Sequence, residues 1–155
     1  MMKHHTNEAE LLHDVQTLLN GGQPEKALEM LRSAGQQSKA VLNAYGVCLM
    51  RMGQIDKANE LYRKLVLPSG GFFLDPNAPT VFKTNYATAL LLGRHVDGCI
   101  GVLGEIAEPT HPAVMRLHNA VNAWKQTLGP VRRLLTFLLG VRSANVPLPF
   151  QPGDL

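Results

Sequence analysis

The strongest constraint on this chain is that it repeats itself. Residues 22–32 read Gly-Gln-Pro-Glu-Lys-Ala-Leu-Glu-Met-Leu-Arg and residues 53–63 read Gly-Gln-Ile-Asp-Lys-Ala-Asn-Glu-Leu-Tyr-Arg, six identities in eleven at an offset of 31. A period of that length marks one supersecondary unit stacked on its neighbours. Each block follows an apolar stripe: Leu11, Leu12, Val15, Leu18 and Leu19 before the first, and Val41, Leu42, Tyr45, Leu49 and Met52 before the second. Spacings of three and four are one face of a helix. The Gly that opens each block suits the left-handed residue ending a helix, and Pro24 falls where a second helix begins and its missing N–H costs nothing. The predicted unit is helix, short Gly turn, helix.

A third unit is readable in Phe82, Tyr86, Ala87 and Leu90 before Gly93, then Val96, Ile100, Leu103 and Ile106. Its turn reads one residue short, with the small residue of its second helix near Gly98 or Cys99. A fourth helix pair follows from Val114, Leu117, Val121, Trp124 and Leu128, then Gly129-Pro130, then Val131 to Leu139; it is either a true repeat or a capping hairpin. Between the second and third units, Pro68 to Pro79 holds two Gly and three Pro and is a loop. Within it, Phe72, Phe73 and Leu74 stand out, and the two aromatics either tuck into the stack and staple the loop or stand ready as a contact surface.

The division expected is one helical domain over residues 1–142, with units at about 8–38, 39–68, 80–108 and 112–140 around the loop 68–79, and a Pro-rich tail over 143–155. The last helix carries Val131, Leu134, Leu135, Phe137, Leu138 and Leu139 and is apolar on nearly all sides. Something must cover it. Either the tail folds back over it, with Leu148 and Phe150 as anchors, or a second copy covers it in a homodimer.

The second unit, Leu42-x-x-Tyr45-Gly46-x-x-Leu49, then Gly53, then Ala58-x-x-x-Tyr62, resembles the tetratricopeptide repeat. The first unit, with Val15 where the pattern has a small residue, is similar to a degenerate terminal copy. The resemblance implies an all-α fold, a right-handed solenoid of antiparallel helix pairs. It also implies an interaction module that holds a peptide segment or helix of a protein partner in a concave groove lined by the first helix of each pair. On this chain the implied groove positions are Asn43, Val47, Met50 and Arg51 in the second unit and Thr84, Thr88, Leu91 and Leu92 in the third. Members that grip a C-terminal carboxylate use Lys and Asn where unit one has Leu12 and Gln16, which argues against that mode. A narrower resemblance, to the small cytoplasmic chaperones of type III secretion translocators, is weakened by the basic C-terminal part and the proline tail.

Composition sets the remaining bounds. With 155 residues, 45% hydrophobic and 17% charged, the chain fits one domain and is too apolar for disorder. Cys48 and Cys99 stand alone, which excludes a disulfide scaffold and a zinc ribbon and suits a reducing, cytoplasmic setting. No signal-like stretch or run of 18 uncharged apolar residues is present, so neither export nor a membrane span is expected. The net charge of +3 is unevenly placed, because residues 111–155 hold Arg116, Lys125, Arg132, Arg133 and Arg142 against Asp154 alone. That leaves an anionic surface or nucleic acid as an alternative partner, although five basic residues are few for a nucleic-acid domain. No GxGxxG, GxxxxGK[ST], GxSxG, HExxH or acidic calcium loop occurs, so neither catalysis nor a cofactor is expected. His111 and His118 lack a carboxylate nearby to complete a metal site.

Overall fold

The structure, a computed structural model, describes residues 7–35, 37–69, 71–139 and 145–155. Among the described residues it is all-helical, with no strand: α1 (Glu8–Asn20), α2 (Pro24–Ala34), α3 (Lys39–Arg51), α4 (Ile55–Val66), α5 (Thr80–Leu92), α6 (Val96–Glu105), α7 (Pro112–Thr127) and α8 (Pro130–Leu139). Helix starts follow local chemistry. Asn7 and Ser38 accept from the amides of Ala9 and Val41, and Pro24, Pro112 and Pro130 occupy first positions.

The first three pairs are joined by the same turn. Gly22, Gly53 and Arg94 each adopt a left-handed backbone, with φ of 68°, 73° and 65°. The next residue then reaches back into the preceding helix: Gln23 to the Leu18 carbonyl at 2.9 Å, Gln54 to Leu49 at 2.9 Å, His95 to Leu90 at 2.8 Å. These bonds satisfy the carbonyls a helix end leaves open and reverse the chain, so each pair runs antiparallel. The third turn is therefore not short. Arg94, not Gly93, is the left-handed residue, and the small position five residues later is Cys99, buried like Ala27 and Ala58. The fourth pair is joined differently, by Leu128 and Gly129 without that motif.

From α1 to α6 each helix packs on the next, while α1, α3, α5 and α7 touch in sequence and form a second, inner row. One continuous core runs through the pairs, from Leu11 and Val15 through Val47 and Tyr62 to Val96, Val114 and Leu117. At its centre a Cβ on Gly46 would lie 2.5 Å from Cζ of Tyr62, so only Gly lets that ring in. The Tyr62 hydroxyl donates to the Asn43 carbonyl at 2.9 Å.

The loop between α4 and α5 is stapled by a residue other than the expected aromatics. Leu74 is buried, its amide donates to Oε2 of Glu105 at 2.8 Å, and the Asp75 amide donates to the Val66 carbonyl at 2.8 Å. Phe72 and Phe73 are 93% and 76% exposed. The backbone bonds of their neighbours hold the loop, so neither ring is needed for it.

Candidate functional site

Helix α5 points to the site because it is buried on two faces. Phe82, Ala89 and Leu91 enter the core, but Thr84, Asn85 and Thr88 are buried too. A helix with a polar face out of water must have that face satisfied. Thr84 and Thr88 turn their hydroxyls back on their own helix, donating to the Val81 and Thr84 carbonyls at 2.9 and 2.8 Å, whereas Asn85 is satisfied by the chain's own non-helical segment 145–155, which lies along the inner row.

Asn85 grips this segment through its backbone. Its Oδ1 accepts from the Asp154 amide at 3.0 Å and its Nδ2 donates to the Asp154 carbonyl at 2.7 Å. The same Nδ2 donates to Oδ1 of Asn43 at 2.8 Å, and Asn43 donates to the Asp154 carbonyl at 3.2 Å. One residue of non-helical chain thus has both backbone groups paired by a buried side-chain amide. Arg51 supports the preceding residues, donating to the carbonyls of Pro152 at 3.1 Å and Gly153 at 3.2 Å, and anchors itself on the Leu19 carbonyl at 2.9 Å. Burial lowers the Arg51 pKa, and the negative charge of Asp154 opposes that shift. Charged donors make the stronger bonds of such a set.

Side chains of the segment are held as well. Val146 is buried in the core, and Leu148 and Phe150 pack against it. The Arg116 guanidinium lies 5.2 Å from the Phe150 ring centre and pairs with the Asp154 carboxylate. Gly153 is buried with φ of 84°, and a Cβ there would come within 2.8 Å of Val47 and Met50. Between residues 150–154 and helices α5 and α7 the free space is ≈ 10 Å³, no more than about one water needs. Nearby, α7 and residues 147–150 wall a more open apolar cleft of ≈ 550 Å³ beside Trp124 and Leu148.

The eight inner-row positions singled out by sequence divide accordingly. Asn43, Val47, Met50 and Arg51 face Gly153 and its neighbours, and Thr84 and Thr88 line the space beneath Asp154. Leu91 is core, and Leu92 is half-buried against it. These positions are not an open, solvent-facing groove: all but the half-buried Arg51 and Leu92 are buried, because the segment or the core covers them. The expected docking of the segment over the last helix is likewise corrected. Leu148 and Phe150 are anchors, but on the core and α7, and Val131, Leu134, Leu135, Leu138 and Leu139 of α8 stay exposed. The Phe137 side chain and Arg142 lie outside the described residues.

Asn85 was missed by sequence reasoning, and Arg116 was named only as part of the C-terminal basic excess, not as a residue of the inner row. The signal for Asn85 was the run Lys83-Thr84-Asn85 with Thr88, polar residues on a helix otherwise rich in Ala and Leu. For Arg116 no local signal exists, since its partner is 38 residues away. The two thiols are core residues: burial pushes both Cys48 and Cys99 up to about 12, so neither is a nucleophile near neutral pH. Among the described residues no group of three or more His, Cys, Asp and Glu could hold a metal, and no helix is long and apolar enough to cross a membrane. Compared with family models, curated proteins and solved structures, the chain matches none.

Proposed function

We propose that this chain is a protein-interaction module: a tetratricopeptide-like, right-handed solenoid of antiparallel helix pairs that holds an extended segment of a partner protein along its inner row. The observation that carries the reading is the backbone clamp of Asn43, Asn85 and Arg51. Side-chain amides that pair both polar groups of one non-helical residue accept many sequences, because every residue but proline offers the same N–H and C=O. Apolar neighbours at Val47 and Met50 supply the rest of the contact. The 31-residue repeat and its identical left-handed turns support the solenoid, since such units bury their faces only by stacking. Lone, buried thiols suit a cytoplasmic setting.

The test is a displayed library of unstructured peptides panned on the full-length protein and on its Asn43→Ala/Asn85→Ala variant, with folding of both checked by circular dichroism. Peptides retained by the first protein should bind the variant at least about tenfold more weakly, as expected for two lost hydrogen bonds of about 1 kcal/mol each. Peptides bound equally by both would remove the inner row as the site.

A further inference from the structure

Residues 150–154 meet requirements of two kinds. The Asp154 amide and carbonyl on Asn85 and the Pro152 and Gly153 carbonyls on Arg51 are indifferent to side chains. Three other contacts choose a residue type. Phe150 offers a ring face to the Arg116 guanidinium, a geometry that favours an aromatic. Gly153 combines a left-handed φ of 84° with Val47 and Met50 so close that any Cβ collides, which admits glycine alone. Asp154 places a carboxylate on Arg116, so the same guanidinium selects the acid and the ring together. Residues 151 and 152 contact the row through backbone or not at all among these selective contacts.

Resting on the reading of the inner row as a peptide site, we propose that Phe150–Asp154 is a built-in copy of the partner's recognition segment. The partner presents a non-helical aromatic-x-x-Gly-acid stretch, left-handed at the glycine, and binds by displacing this chain's own. The charge supports it: Asp154 is the one acidic residue after Glu108, and it is spent on Arg116. A partner segment with the same acid satisfies that arginine once Asp154 leaves. A tethered segment competes at an effective concentration in the millimolar range, so a ligand supplied from outside binds with an affinity reduced by the fraction of time the row is free.

The experiment uses a fluorescent peptide with the sequence of residues 145–155 and full-length protein. It is titrated by anisotropy against the wild type and against Gly153→Val, whose own segment cannot seat. Binding to the variant at least about tenfold tighter than to the wild type is expected, with a peptide carrying Gly153→Val binding neither protein. Equal affinity for the two proteins overturns the proposal, as does a valine peptide that binds like the native one, or no binding to a folded variant. Should Gly153→Val fail to fold, Asp154→Lys, which alters only the half-buried carboxylate, takes its place with the same expectation. Library peptides that depend on Asn43 and Asn85 yet lack the aromatic-x-x-Gly-acid pattern would overturn this proposal while leaving the inner row as a peptide site. Loss of the dependence on Asn43 and Asn85 would instead sink the reading beneath it.

Discussion

Segment 145–155 and helix α8 lie a few residues apart and are both rich in apolar side chains, but they meet opposite fates. Among the described residues the segment makes no internal backbone hydrogen bond; it contains three prolines and is docked, whereas α8 pairs its own backbone as a helix and leaves Val131 71% exposed and Leu138 65% exposed. Extended chain removed from water must find a partner for each N–H and C=O, so its place is dictated by wherever those partners are preformed. Asn43, Asn85 and Arg51 are such partners. A helix pairs its own backbone groups except at its ends, so it makes far less demand on its surroundings. Pro147, Pro149 and Pro152 also reduce the entropy lost on docking, because their φ is already set. The docked segment differs from α8 in meeting preformed polar partners as well as apolar ones.

The largest blow to this contrast would come from its platform. Gly46→Leu drives a side chain into the Tyr62 ring and disturbs the Asn43 carbonyl that Tyr62 holds, so α3 can no longer present the clamp. A loss of about 3 kcal/mol is expected, read as a fall of roughly 6–12 °C in Tm. An unchanged Tm would show that the close approach is not required. A smaller and more selective effect is expected of Asn85→Ala, which removes both bonds to Asp154. The Asp154 amide should lose about ten- to a hundredfold of its hydrogen-exchange protection, the equivalent of about 1–3 kcal/mol, while amides of α8 exchange as before. Retained protection would mean that apolar anchors alone seat the segment. The smallest effect should follow Leu134→Gln with Leu138→Gln on α8, where exposed substitutions shift stability by under about 0.5 kcal/mol each. A denaturant midpoint displaced by much more would reveal that this face is covered in solution and erase the contrast.

Local physics was the legible part of the sequence. Apolar stripes at three and four residues marked the helices, and Gly22 and Gly53 marked their turns, because both signals depend only on near neighbours. The third turn was misread where the same backbone is imposed on Arg94, a residue whose type does not advertise a left-handed φ. Leu74 stood out in the loop together with Phe72 and Phe73, but the stapling role went to the two rings, because hydrophobicity suggests burial without specifying which residue is buried. Six of the eight inner-row positions were assembled into the site, but what lies on them was not legible. The pairing of Asp154 with Asn43, Asn85 and Arg116 spans 111, 69 and 38 residues, and no pattern within one helix encodes contacts at that range.

The close approach of Tyr62 to Gly46 has a consequence for how such a chain can vary. Counted from the left-handed residue of each turn, Gly46 corresponds to Val15 and Ala87, and Tyr62 to Leu31 and Leu103. All six are buried, and the largest side chain faces the smallest site. The two positions therefore share one allotment of volume, and neither can drift alone: enlarging Gly46 demands shrinking Tyr62 in the same lineage, and a smaller residue at 62 leaves a void that only a larger one at 46 fills. Among relatives of this chain, the mark of a working unit would be a reciprocal exchange of bulk between these two places, with neither residue invariant.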